Sequence, residues 1–355
     1  MLNLIFYKSL FTAVPMRSLT LFIPGLLQPT RDLTDQDLPA TPSLERLLAC
    51  GQSEQWTPSG FSDVLCGLFN LLAEPGYDLP VATISRLVDD DHSVEGIWMR
   101  ADPVHLAADR DGVVLMDQST FTLDQHDALV LAADIRGILA EHDLELEVPT
   151  VNRWYVKLKV LPDVKTTAIH EVAGKDIHQH MPAGADKSYW AQLINEIQMC
   201  MHASDVNEKR QQRGEFPVNS IWFWGSGELP GRVECEWSRV FSDEEIARGL
   251  AIHAGVPWSE LPESIDEMPD QVEATDNVLA VISFGLRHTQ YHDLKGWQDF
   301  VVYLEQFWFS SLLDYLKTGE LGELTVITEY QKITITGLSL YKIWKKRKTI
   351  RAYAK

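Results

Sequence analysis

The residues that could do chemistry are few, and their spacing limits what that chemistry could be. His288 and His292 stand four apart behind an apolar run at 278–283, with Asp293 beside them. On one helix the two imidazoles would share a face, as a pair of metal ligands must. His178-Gln179-His180 could chelate a metal or lie in a polar loop. Gly225-Ser226-Gly227 follows a strand-like run but lacks the GxGxxG spacing of a dinucleotide-binding turn. Gly60-Phe61-Ser62-Asp63-Val64 is not a GxSxG nucleophile elbow, and no Walker-type loop is present. None of the four cysteines, Cys50, Cys66, Cys200 and Cys235, forms a CxxC pair. That spacing argues against thiolate-bound zinc and for a reduced, cytoplasmic setting.

Elements to position these residues can be read from hydrophobic periodicity. Leu19 to Ile23 is a continuous apolar run ended by Pro24-Gly25, the pattern of a buried strand opening into a loop. Residues 41–51 read as a helix capped by Thr41, begun by Pro42 and stopped by Gly51. Short strands are expected at Val113–Met116 and Arg153–Val160. Tyr189–His202 has Trp190, Leu193, Ile194, Ile197 and Met201 on one helical face. Asn195, Gln198 and His202 line another, either a solvated surface or a polar wall facing a ligand. Ser220–Trp224 is an aromatic strand. Val278–Ser283, a helix over Trp297–Leu316 and Leu324–Thr328 form a strand–helix–strand unit, which predicts a parallel sheet. Residues 256–277, rich in Pro, Glu and Asp, read as a surface connection.

The chain of 355 residues is long enough for about two domains, and its charge of −20 repels polyanions, which argues against a nucleic-acid partner. Basic residues gather at Lys342, Lys345, Lys346, Arg347, Lys348, Arg351 and Lys355, either a solvated end or a dock for an acidic partner. No apolar run is long enough for a membrane span. The first fifteen residues read as an upstream extension or misassigned start ahead of Met16, with an export signal as the alternative.

From His202 the chain reads HASDVNEKRQQRGEFPVNSIWFWGSGELP. This stretch resembles the signature of archaeal-type cofactor-independent phosphoglycerate mutases. His202, Val206, Asn207, Arg210, Gly214, Pro217, Asn219, Gly225 and Gly227 match it, whereas Trp224 stands where the family has arginine. TPSLERLLACG at 41–51, Phe61-Ser62-Asp63 and GLAIHAG at 249–255 are similar to further family segments. The phrases ADPVHLAADRDGVVLMD, RWYVKL and LINEIQM resemble the bacterial RpfE-type regulatory proteins more closely still.

The resemblance implies an α/β fold: an alkaline-phosphatase-like core with a largely parallel sheet flanked by helices, plus an inserted α+β subdomain. The expected boundaries are an N-terminal extension at 1–16, core at 17–118, insertion at 119–216, core at 217–335 and a basic tail at 336–355. It also implies two metal ions, Mn or Zn, activating a serine at the position of Ser62. Several ligand positions have changed. Pro24-Gly25 replaces an Asp-Gly pair after the first strand, and Glu329-Tyr330 replaces an Asp-His pair after the last. The expectation is therefore a non-catalytic or degenerate relative with a regulatory or phosphometabolite-binding role and no metal. Ser62 would be a vestigial nucleophile, with Asn207, Arg210, Asn219 and His202 around the ligand. The alternatives are an active mutase or phosphatase with a rearranged metal site at His288, His292, Asp293 and Glu329, or a module that binds a protein partner through Trp222, Phe223 and Trp224 or the basic tail.

Overall fold

A computed structural model of the chain describes residues 16–354 except 32, 56–59, 90–93, 111, 269–271, 274–275 and 343–344; the expectation for the first fifteen residues lies outside these. The chain runs β1 (Met16–Phe22), α1 (Pro42–Cys50), β2 (Gln52–Gln55), α2 (Phe61–Gly67), α3 (Val81–Asp89), β3 (Ile97–Asp109), β4 (Gly112–Met116), α4 (Gln125–Glu141), β5 (Glu145–Glu147), β6 (Tyr155–Leu158), α5 (Ile169–Val172), α6 (Lys187–His202), α7 (Asp205–Gln212), β7 (Ser220–Glu228), β8 (Arg239–Ser242), α8 (Glu245–Ala254), β9 (Trp258–Ser259), β10 (Asn277–Val281), α9 (Leu286–Gln290), α10 (Leu294–Leu304), α11 (Ser310–Thr318), β11 (Leu321–Ile327) and β12 (Gln331–Thr336).

A seven-stranded sheet of order β2-β12-β11-β1-β10-β8-β9 forms the core. The pairs from β11 to β9 are parallel, and β12 and β2 extend the sheet antiparallel. The strand–helix–strand unit is present: β10 and β11 flank β1, with α10 and α11 between them in sequence. Both faces of β1 and β10 are covered, which is why they read as unbroken apolar runs. Leu19, Leu21, Val278 and Ala280 pack with Leu44 and Leu47 of α1, Trp297 of α10 and Leu312 of α11. Phe22, Leu279 and Val281 face Val64 and Leu65 of α2, Ile84 of α3 and Leu250 of α8. The mixed α/β class, with a largely parallel sheet between helices, is thus the one expected.

The second sheet is antiparallel, with β3 paired to β4, β6 and β7, and β5 paired to β6. It takes in Ile97–Met116 and Ser220–Glu228, so it reaches past the expected 119–216 insertion at both ends. The short runs of β4 and β7 look alike whether a strand joins a parallel core or an antiparallel layer, so periodicity could not place them. Ile221 and Phe223 of β7 pack with Leu131 of α4 and Leu193 of α6, while Trp222 and Trp224 turn toward the core sheet. All three aromatics of the expected partner handle are therefore interior: Trp222 is 2%, Phe223 1% and Trp224 0% exposed. The glycines after them serve packing. Gly225 has φ +66°, and a Cβ there would lie 2.1 Å from Val81 on α3.

Two ends differ from expectation. Thr41 makes no side-chain cap on α1. Pro42 has no N–H, and the next two amides, of Ser43 and Leu44, donate instead to Glu305 Oε1 (2.7 Å) and Oε2 (3.0 Å). Glu305 opens a π-helical turn, Glu305–Phe309, between α10 and α11. Glu305→Ala is expected to cost about 0.5–2 kcal/mol, as a lost cap does, read as a lower urea midpoint at unchanged slope. The basic end is also no free tail. Arg347 pairs with Glu45 (3.1 Å), Lys345 Nζ donates to the Gly51 carbonyl (3.2 Å) and Ile350 is fully buried in the core.

Candidate functional site

A cleft opens where β1 and β11 end, the edge of an open α/β sheet at which ligands bind. One cavity in it, of about 330 Å3, is lined among others by Gln28, His170, Glu171, Lys175, His180, His292 and Glu329. β1 delivers Pro24-Gly25 to it and β11 delivers Glu329-Tyr330. These two strand ends are joined directly: the Gly25 N–H donates to Glu329 Oε1 at 2.5 Å. Glu329 is 7% exposed, its Oε2 has no protein partner, and burial pushes its carboxyl up to about 6. The Glu329 carboxylate, one of the candidate metal ligands, is thus turned onto the Gly25 backbone amide.

The remaining metal candidates do not converge with it. α9 stops at Gln290 and His292 has φ +54°, so His288 and His292 do not share a helical face as expected. His288 Nδ1 donates to Asp293 Oδ2 at 2.7 Å. His178 Nδ1 pairs in the same way with Asp176 (2.8 Å), the cap of a short 3-10 turn at Ile177–Gln179. Among the described residues no three His, Cys, Asp or Glu side chains are grouped to hold a metal ion. A two-ion centre needs several anionic oxygens aimed at one space, and the donors here do not fit one.

Ser62 lies on the first turn of α2, 4% exposed, and its Oγ has no protein partner. No base is hydrogen-bonded to it. Glu171 of α5 fills the space beside it: a Cβ on Gly60 would lie 1.5 Å from Glu171 Oε1. Burial, and then the nearby Asp63, raise this carboxyl above its usual range. His170, its neighbour, lies tilted against the Phe61 ring (centroids 4.6 Å apart) and edge-on to Trp224 (5.7 Å), with Nδ1 buried and unpartnered; burial keeps this ring below its ordinary pKa. Neither His170 nor Glu171 sits in a recognisable motif, and only the placement of α5 against α2 brings them to the cleft.

The expected ligand residues have other partners. Asn207 donates to the Met201 (2.7 Å) and Val218 (2.8 Å) carbonyls and accepts from the Val218 N–H (2.8 Å). Arg210 donates to the Phe216 (2.9 Å) and Thr122 (2.7 Å) carbonyls and is 2% exposed. Asn219 bonds both backbone groups of Leu106, at 2.7 and 2.9 Å. These side chains satisfy loop and strand backbone. His202, Asn195 and Gln198 lie on the outer side of α6, the first two exposed, so the polar stripe there is a solvated surface. In the fold Asn207, Arg210 and Asn219 serve the backbone of this segment, and His202 lies on the exposed face of α6. Asn207→Ala is expected to lower stability by about 1–3 kcal/mol by leaving buried groups unpaired, checked by thermal unfolding.

No family model matches the chain. Among curated proteins, a probable 2,3-bisphosphoglycerate-independent phosphoglycerate mutase of Geobacter sulfurreducens is 26% identical over 169 residues, 45% of this chain and 42% of that protein. A 2,3-bisphosphoglycerate-independent phosphoglycerate mutase of Methanosarcina mazei is 29% identical over 99 residues, 26% of this chain and 25% of that protein. The chain is a relative of these mutases. The match to them spans less than half of either relative's length. Among solved structures, the PH0037 protein from Pyrococcus horikoshii aligns over 91% of this chain and 88% of that one, with TM-score 0.51 and 13% identity, and so shares its fold. No described helix is long and apolar enough to cross a membrane.

Proposed function

We propose that this chain is a non-catalytic relative of the phosphoglycerate mutases that binds a small phosphorylated or carboxylated metabolite in the cleft at the ends of β1 and β11. One observation carries the reading: the Glu329 carboxylate is bonded to the Gly25 amide at the place where metal ligands would have to converge. Ser62 without a hydrogen-bonded base agrees with lost phosphoryl transfer. Lys175 provides a cation at the mouth of the cavity, and its charge acts on both Glu171 and His180. A pocket without a hydrogen-bonded base at Ser62 supports a ligand-responsive regulatory role, like that implied by the resemblance to RpfE-type proteins.

The test combines elemental analysis, a phosphoglycerate mutase assay with added Mn2+, and calorimetry with 3-phosphoglycerate and inorganic phosphate. The expected result is no bound metal, no turnover, and binding that weakens in Lys175→Ala. Metal-dependent turnover that disappears in Ser62→Ala would establish an active enzyme instead. Absence of binding by either probe would remove the metabolite-binding reading.

A further inference from the structure

The cleft has a second chamber of a different character. It too measures about 330 Å3, and it shares Gln28, Thr289 and His292 with the first, so the two adjoin. The first chamber is charged and polar: Lys175 and His180 line it together with Glu171 and Glu329. The second is walled by Pro29, Leu33, Leu294 and Trp297, with His288 and Asp293 on its polar edge. The Trp297 indole N–H is already donated to the Gly25 carbonyl (3.2 Å), so that residue offers the chamber no donor.

The polar edge is held in one orientation. His288 Nδ1–H donates to Asp293 Oδ2, and Asp293 Oδ1 accepts the Gly296 N–H at 2.9 Å, which also caps α10. A Cβ on Gly296 would lie 2.1 Å from both His288 Nδ1 and Asp293 Oδ2, so glycine is what leaves the pair its room. With Nδ1 so engaged, a neutral ring presents Nε2 as an acceptor.

We propose that the cleft takes an anion with a ring-sized apolar body ending in a hydroxyl. The acid group lies at Lys175, the body lies between Pro29, Leu33 and Leu294, and the hydroxyl donates to His288 Nε2. This rests on the anion-binding reading above and adds the rest of the ligand, which a short polar acid would leave unmatched: apolar walls bind apolar surface.

Calorimetry on the full chain with inorganic phosphate, phenyl phosphate and 4-hydroxyphenyl phosphate separates the parts. Phenyl phosphate is expected to bind about tenfold or more tighter than phosphate through burial of the ring, and the hydroxyl to add a few-fold. Leu294→Asn, at a partly exposed position opening α10, should abolish the ring's gain and leave phosphate binding unchanged. His288→Leu should abolish only the hydroxyl's gain. Equal affinity for phosphate and phenyl phosphate, or a gain that survives Leu294→Asn, overturns the proposed body while the anion reading stands. A hydroxyl gain that survives His288→Leu overturns the role of that imidazole. Failure of all three probes to bind overturns this proposal together with the reading it rests on.

Discussion

Replacing Arg100 with leucine is expected to remove about 3–5 kcal/mol of stability, because it strands buried carboxylates without their counter-charge. Arg100 lies on β3, 2% exposed, against Asp102, which is 0% exposed. Its Nε donates to Asp102 Oδ1 (3.0 Å) and one terminal nitrogen contacts Oδ2 (2.9 Å). The other terminal nitrogen donates to Ser85 on α3 (3.1 Å) and to Glu245 at the start of α8 (3.2 Å). The cluster therefore ties the antiparallel sheet to the core helices, and the Trp224 indole N–H donates to Asp102 from the neighbouring strand β7 (2.8 Å). Burial alone would raise the Glu245 carboxyl, but Arg100 and Arg153 together hold it low. Removing Arg100 loses that compensation at two carboxylates at once. Urea unfolding followed by tryptophan fluorescence measures the loss. Replacing Arg100 and Asp102 together with apolar residues of similar volume should recover part of it, because two desolvation costs vanish with the pair. A loss below 1 kcal/mol for Arg100→Leu would show that water reaches this cluster.

Glu329 provides the second large effect, and it depends on pH. Its folded pKa is about 6 against an ordinary 4.5. The folded protein thus binds this proton more tightly than the unfolded chain does. The stabilisation is fully present below pH 4.5 and is lost as pH rises through 6. A shift of that size corresponds to about 2 kcal/mol. Glu329→Gln retains an oxygen for the Gly25 N–H but cannot ionise. The stability difference between variant and parent should therefore move by about 2 kcal/mol in favour of glutamine between pH 4.5 and pH 7.5, whatever constant offset the amide introduces. Denaturant titrations at the two pH values give this difference directly. A pH-independent difference would mean that Glu329 is not held in the buried clasp with Gly25.

The contrast between these residues and the readable ones shows where local sequence stops being informative. The apolar run of β1, the heptad-like stripe of α6 and the β10–helix–β11 unit could be read directly, because side-chain direction repeats with the period of the backbone and burial follows that period. The core class followed from the same signal. The site did not. Asn207, Arg210 and Asn219 stand in the stretch that best matches the mutase signature, yet their polar atoms bond nearby backbone, a use that residue type and spacing cannot distinguish from ligand binding. The His288–His292 spacing suggested a shared face only as long as the helix continued, and it ends between them.

Composition and periodicity by themselves determined that this chain builds an α/β core around a buried parallel sheet, and motif matching pointed to its relatives. Only the tertiary structure decided that Glu329 meets Gly25 across 304 residues of sequence. It also decided that Glu305 caps α1, that Glu171 stands beside Ser62, and that the basic end folds onto the core. The physical reason is the same each time. Periodicity reports which way a side chain points from its own element, whereas a hydrogen-bond partner is chosen by how distant elements pack, and a buried polar group must find one wherever packing places it.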